Sequence, residues 1–380
     1  NRIKQTVRIL GANLLKNWLN KSMLRMFNHF IKLQTIPHGF FDSLLDDTTI
    51  FDYCFDSCYS LNQCFPGLLG RVNPYVSSTI SMFHDCIKLD NGLNLEVAPN
   101  LTRIDGMYRG CSDLTILSET FLNNAPLVQN MDYLFDGCLR LDEIPDTILA
   151  NSTLITSAIR AFACTSIRHT WSMNHLVNLS NMTEMYYGTR DLEDIWSNFM
   201  DNVGSNTTGL NINSMFFNSG NREVGIEFGT DCFTDLANRD LLPSQSSVFR
   251  SAVVRHGIPE GLFENVFVNK DFSLTFFFAD LMTATSNQTK HIEFYRAFIG
   301  CTGVKDISYM FAWVGNGSHY GCVQWFDKEF FYDMPNLTTV KYLFAGARID
   351  FRLHDDLFSR NRKITDYSYM FGFTIAESMV

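Results

Sequence analysis

The chain has 380 residues, 46% of them apolar, a formal net charge of −10 and no apolar run of the length that a membrane-crossing helix needs. An acidic chain without a basic stripe lacks the electrostatic footprint of a nucleic-acid binder and the Lys/Arg clusters that seek anionic lipid. With 34 Phe and only 9 Pro it reads as neither disordered nor collagenous.

The opening stretch, "NRIKQTVRILGANLL", sets basic residues before an apolar run too short and interrupted for a signal peptide. Residues 1–25 are therefore expected to be an N-terminal cap or a connection to preceding chain. From residue 26 the sequence repeats itself. An aromatic anchor recurs at Phe27, Phe55, Phe83, Tyr108, Phe135, Phe162 and Tyr186, and the first five spacings are 28, 28, 25, 27 and 27 residues. It continues at Phe216, Phe249, Phe277, Phe298, Phe311, Phe344 and Phe371 with spacings from 13 to 33. The 13-residue step from Phe298 to Phe311 reads as a repeat missing half its unit. The chain thus divides into regular repeats over 26–200, degenerate repeats with insertions over 201–290, and regular repeats over 291–380. The final stretch, "YMFGFTIAESMV", shows no polar cap, so that end is expected to be continued by more chain or covered by a partner.

Other positions travel with the anchor. Six residues after it stands an apolar residue, as at Leu33, Leu61, Leu89, Leu114, Leu141, Leu192 and Val304. Nine after it stand Ile36, Cys64, Leu117, Ile144, Ile195 and Ile258, three of them followed by Pro37, Pro145 and Pro259. Apolar pairs such as Phe40–Phe41, Ile148–Leu149 and Leu262–Phe263 come next, and phrases such as "NLTRIDGMY" and "NLTTVKYLF" lead into the following anchor. A unit this short cannot bury its apolar positions alone, but stacked neighbours can. The pattern predicts a solenoid in which an extended segment near "RLDEIP" pairs in parallel with its counterpart one turn away. Proline then ends the ladder and opens a short helical or turn segment. The predicted shared core comprises Phe27, Phe55, Cys58, Phe83, Cys86, Cys111, Phe135, Cys138, Leu141, Ile144, Phe298, Cys301, Phe311, Phe344 and Phe371. A spacing of three residues fits neither strand nor α-helix cleanly.

The segments RMFNHFIKLQTIPHGFF and YLFDGCLRLDEIPDTIL carry a pattern, MF-x-x-C-x-x-L-x-x-I-P-x-x-L-F, that resembles BspA-like leucine-rich repeats. The resemblance spans roughly Met26 to Phe371. It implies an α/β repeat, a leucine-rich-repeat solenoid with a parallel strand ladder and short helical or turn segments, of the kind found in bacterial and protozoan surface proteins and phage virion proteins. It brings no catalytic residues.

Ten cysteines raise disulfide and metal readings. Cys58, Cys86, Cys111, Cys138 and Cys301 all stand three after an anchor, and Cys164 two after. Other repeats put Phe30, Ser219, Val314 and Ala347 in that slot, which describes a small buried site filled by a thiol acting as a hydrophobe. A disulfide ladder stays open as the alternative, although equivalent thiols offer no unique pairing. Cys54, Cys58 and Cys64 do not have zinc-type spacing, and no H-E-x-x-H occurs. "GNGSHYG", 315–321, matches no phosphate-binding pattern, and Asp46–Asp47 and Asp355–Asp356 read as helix-start or solvent-facing charge. No G-x-S-x-G elbow appears. Nine N-x-S/T sequons occur, and the recurrence of "NLT" at one repeat location explains part of that number.

Solenoids act through extended faces and through irregularities in the stack. The irregular places are 201–247, "LMTATSNQTK" at 281–290, and the insertion bearing Trp313, Tyr320 and Trp325. Those three aromatics are the candidate recognition residues, against the alternative that the tryptophans cap the core. No enzyme activity, cofactor or metal is expected. The expected role is structural or recognition, in a phage virion as a tail or fibre-associated protein that binds a protein or glycan on a host surface, or other virion subunits. The alternative is a bacterial cell-surface adhesin, and a site hidden in the degenerate middle is the remote enzymatic one.

Overall fold

A computed structural model describes residues 2–45, 47–63, 65, 67–93, 95, 97–285, 291–315, 322–349 and 353–376. The chain forms two compact units, Asn1–Ile167 with His175–Asn181 and Arg168–Asn174 with Met182–Val380.

The three-residue spacing has a simple origin. Each rung passes its anchor as a run of turns bonded from residue i to i−3. The amide of Cys138 donates to Phe135 O at 3.0 Å and that of Leu141 to Cys138 O at 3.1 Å. Residues two before and two after the anchor take left-handed backbone, as Tyr53 (φ 54°) and Ser57 (φ 59°) do around Phe55. This alternation turns every second amide toward the next rung. Tyr53, Phe55 and Ser57 donate to the carbonyls of Ile80, Met82 and His84 at 2.8, 2.9 and 2.7 Å, while the amides of Cys54 and Asp56 close the local turns. The backbone is thus satisfied between rungs without long strands or helices.

The anchor rings stack in register. In the first unit Phe27, Phe55, Phe83, Tyr108, Phe135 and Phe162 lie 5.4–6.1 Å apart at 6–19°. In the second, Tyr186, Phe216, Phe249, Phe278, Phe311, Phe344 and Phe371 do the same at 5.2–5.9 Å and 4–18°. Leu33, Leu61, Leu89, Leu114 and Leu141 are fully buried, as are Cys58, Cys86, Cys111, Cys138 and Cys301. Among the described residues all pairing between rungs is parallel. One line of single bridges runs five residues before the anchor, from Ser22 through Ile50, Ser78, Arg103, Asn130 and Ser157 to Asn181. The second unit also holds a five-stranded sheet in the order Ile375–Ala376, Arg348–Ile349, Cys322–Phe326, His291–Phe294, Gly257–Ile258. Helix among the described residues is limited to Arg2–Thr6 and two 3-10 segments, Gly70–Tyr75 and Thr234–Asn238. The segments after the repeat prolines are turns.

Several expectations need correction. The anchor of the tenth rung is Phe278, not Phe277: Phe278 lies flat between Phe249 and Phe311, whereas Phe277 meets Phe249 at 58°. Phe298 is buried but belongs to a second column. It stacks on Phe263 at 5.4 Å, and the amides of Gly261, Phe263 and Asn265 donate to the carbonyls of Arg296, Ala297 and Ile299. The apolar-pair corner therefore copies the anchor turn, and the 13-residue step from Phe298 to Phe311 joins two corners of one unit rather than marking a lost half-repeat. Ile144 is only half-buried, and the "RLDEIP" segment around it carries no strand. Phe371 is 40% exposed, and among the described residues the ring that stacks on it is Phe344.

The "NLT" phrases are inter-rung links. Asn100 Nδ2 donates to Pro74 O at 2.8 Å and Thr102 Oγ1 to Ser77 O at 3.0 Å. Asn178 and Ser180 repeat this toward Thr153 and Thr156, and Asn336 and Thr338 toward Thr302 and Lys305. The sequons at Asn100, Asn178 and Asn336 thus have a structural cause.

Candidate recognition face

The left-handed residue two before each anchor directs its side chain away from the ring stack. In the second unit this position builds a second, outward ladder. Phe276, Tyr309, Tyr342 and Tyr369 lie with successive centroids 4.4, 4.7 and 4.9 Å apart and planes within 11°. Arg250 extends it, with its guanidinium 4.9 Å from the Phe276 ring and 5.5 Å from Phe217, which in turn stacks on Tyr187 at 5.3 Å. Tyr187, Phe217, Phe276, Tyr309 and Tyr342 are half-buried, and Tyr369 is 66% exposed. Because each ring covers the face of the next, the ladder offers ring edges and phenol tips rather than open faces. In the first unit the corresponding residues Tyr53 and Tyr133 are covered by cations, Arg25 at 4.8 Å over Tyr53 and Arg109, one after its anchor, at 4.7 Å over Tyr133.

Beside it, the position one after the anchor carries a polar line in the first unit. Asn28 Nδ2 donates to Asp56 at 2.6 Å, and His84 Nδ1 lies 2.9 Å from the other Asp56 oxygen. Arg109 and Arg160 both reach Asp136, at 3.2 and 3.0 Å. The bond to Asp56 raises the His84 pKa above its ordinary value, against the opposing effect of burial. Burial pushes Asp56 up, but the hydrogen bonds from His84 and Ser57 and the nearby His charge leave it net below the ordinary range.

The sequence candidates separate. Trp313 follows its anchor Phe311 by two residues in left-handed backbone (φ 58°), half-buried over Gly346 and 6.1 Å from Tyr309, so it joins the ladder. Trp325 lies on the Cys322–Phe326 strand, paired opposite Glu293 and 49% exposed, on a different line of the rung. Tyr320 lies outside the described residues, as do Cys64, Asp46, 286–290 and most of "GNGSHYG". The ladder residues Phe276, Tyr309, Tyr342 and Tyr369 were missed. Their signal was present in "SYMF", "KYLF" and "SYMF", where Tyr precedes the anchor by two.

The buried thiols of Cys54, Cys58, Cys86, Cys138 and Cys301 do not form a reactive site. Burial pushes the thiols of Cys58 and Cys301 up to about 12, and Cys54, Cys86 and Cys138 also well above the ordinary value. Cys54, Cys58, Cys86, Cys111, Cys138, Cys232 and Cys301 are free thiols. Among the described residues no group of three or more His, Cys, Asp or Glu could hold a metal ion, and no helix is long and apolar enough to cross a membrane.

No family model and no curated protein matches the chain. Among solved structures, a leucine rich cell surface protein from Faecalibacterium prausnitzii A2-165 is similar, with a TM-score of 0.35 and 14% identity over 98% of this chain and 83% of that one. A leucine-rich repeat protein from Bacteroides ovatus ATCC 8483 has a TM-score of 0.27 and 13% identity over 80% of this chain and 79% of that one. The parallel bridges, the turn-generated spacing and the stacked Phe, Cys and Leu columns make this chain a leucine-rich-repeat solenoid, with a repeat that resembles the BspA-like pattern.

Proposed function

We propose that the chain is a non-enzymatic recognition scaffold, displayed at a cell surface, that binds a protein partner through the outward aromatic ladder of its second unit. The observation that supports this is the ladder itself. Tyr309, Tyr342 and Tyr369 stay at the surface, outside the anchor stack that fills the core. Tyrosines held rigid by stacking bring large amphipathic contact area at low entropy cost, which is how interface anchors act. Their faces are taken by one another, so a sugar ring has little room to lie flat on them, which favours a protein partner over a glycan. The cell-surface setting is preferred to the virion setting, for which no feature of the fold speaks.

Two measurements test the reading. Antibody labelling of intact producing cells reports display; staining only after lysis removes the surface setting. Binding of the purified chain to cells and to a glycan array, compared with the triple variant Tyr309→Ala, Tyr342→Ala, Trp313→Ala, reports the face. Loss of cell binding in a variant that stays folded, with a cooperative transition well above the assay temperature, supports it, and undiminished binding sinks it. Trp325→Ala, assayed alone, tells whether that separate tryptophan takes part.

A further inference from the structure

A second feature of the second unit lies on another line of the rung. The Glu227–Phe228 strand pairs in parallel with Asp194–Ile195, and Gly257–Ile258 pairs with His291–Phe294. Between these two pairs the ladder splits. Ile226 and Val254 are still bridged, and Arg255 N donates to Ile226 O at 3.0 Å. The chain then bends at Arg255–His256 and carries Gly257 away. The wedge so formed is a cleft of about 360 Å³ lined by Ile226, Phe228, Ile258, Pro259 and Tyr295, with Glu227, Arg255, His256 and Glu260 at its rim.

Alternation decides what the split exposes. The amides of Glu227 and Gly229 donate to Glu193 O and Ile195 O, so the N–H and C=O of Phe228 point the opposite way, into the wedge. On the other wall His256 O and Ile258 O accept from Glu293 N and Tyr295 N, so the peptide groups of Gly257 point into the wedge. Among the described residues the Glu227–Phe228 strand forms a two-stranded sheet with Asp194–Ile195 and does not pair with Gly257–Ile258. An unpaired edge beside an apolar floor is a template for added extended chain.

The rim sets the charge of the occupant. Glu227 is ion-paired with Arg255. Glu260 is exposed, and Glu293 accepts the Tyr295 hydroxyl at 2.8 Å, so carboxylates are in excess around the cleft of a chain that carries a net charge of −10. We infer that this wedge binds an extended segment of a partner protein that carries an apolar side chain next to Lys or Arg. The partner backbone pairs with Phe228 and Gly257, its apolar side chain rests on Ile226, Phe228 and Ile258, and its cation faces Glu260 and Glu293. This site is independent of the aromatic ladder.

The probe is the labelled pentapeptide acetyl-Lys-Val-Lys-Val-Lys-amide, titrated with the full chain by fluorescence polarisation. Saturable binding is expected. Glu260→Lys, at an exposed position, should weaken it about tenfold, N-methylation of the central residue should abolish it, and the Glu-Val-Glu-Val-Glu counterpart should not bind. Hydrogen exchange should slow at the Phe228 and Gly257 amides on binding. Absence of saturable binding, equal binding of the N-methylated peptide, or indifference to Glu260→Lys overturns the inference. Loss of peptide binding in Tyr342→Ala overturns it too, because the peptide would then sit on the ladder.

Discussion

Cys138 donates its thiol to the carbonyl oxygen of Tyr108 one rung earlier, with Sγ 3.1 Å from the oxygen. The relationship repeats from Cys58 to Phe27, Cys86 to Phe55 and Cys111 to Phe83, at 3.1–3.2 Å. Ser219 makes the same bond to Tyr186 and Thr374 to Phe344. In these six rungs the slot three after the anchor holds a small donor that satisfies a second lone pair of the anchor carbonyl, whereas Val314 and Ala347 fill it as plain hydrophobes. Cys138→Ser is expected to keep the bond, Cys138→Ala to lose about 1 kcal/mol with it, and Cys138→Leu to overpack the site by about 1–3 kcal/mol. Urea melts of the three variants check the order. An alanine variant as stable as the serine one would mean that the bond contributes nothing.

The same column should resist chemistry. A thiol whose pKa burial has raised to about 12, as at Cys58, holds almost no thiolate at neutral pH. In native protein, Cys58, Cys86, Cys111 and Cys138 should stay unmodified by an alkylating reagent until the chain is unfolded, as read by peptide mass spectrometry. Rapid native labelling of any of the four would contradict their burial.

Phe135 sits between Tyr108 and Phe162 at 5.9 and 6.1 Å, inside the first unit's ring stack. Phe135→Ala should cost about 3–5 kcal/mol. In a stack governed by nearest-neighbour contacts the loss falls on the two interfaces that Phe135 shares and should broaden or split the thermal transition rather than shift it whole. A calorimetric trace that moves without changing shape would argue for coupling across more rungs than nearest neighbours.

Phe344 and Tyr342 are two residues apart and should behave oppositely. Phe344 is 1% exposed and stacks in the core, so Phe344→Ala should cost about 3–5 kcal/mol. Tyr342 stacks only on the outward ladder, where an aromatic pair adds about 0.5–1.5 kcal/mol. Chemical denaturation of the pair of variants distinguishes them; equal losses would place Tyr342 in the core.

His84 and Asp56 give the first unit a pH dependence. The folded His84 pKa is raised, so its contribution is complete below the unfolded value of about 6.5 and is lost as pH rises through the folded value. The folded Asp56 pKa is lowered, so its contribution holds above about 3.9 and disappears as pH falls through the folded value. The pair stabilises most in the mildly acidic window between them. His84→Gln should therefore lower the melting temperature more near pH 6 than near pH 8.5, and a pH-independent difference would remove the charge from the account.

The repeat, its anchors and its buried Leu and Cys columns were legible in the sequence because each is a one-residue pattern repeated at a fixed offset. The register of the degenerate middle was not. "TFFFAD" places three phenylalanines in a row, and apolar character alone cannot choose among Phe276, Phe277 and Phe278. Backbone handedness chooses: Phe276 at φ 55° points outward and joins the ladder, and Phe278 lies two residues later in the ring stack. Phe298 misled for a similar reason, since a second corner of the unit uses the same aromatic and the same Cys three residues on.

By itself the sequence determined that the chain coils into equivalent rungs, because only stacking buries apolar residues recurring at offsets too short for a domain of their own. Only the tertiary structure decided which aromatics face out, and where the ladder splits at Phe228 and Gly257. Both depend on φ and on which edge of a peptide meets its neighbour. Those quantities are set by the rung above and the rung below, and leave no mark on the residue letter.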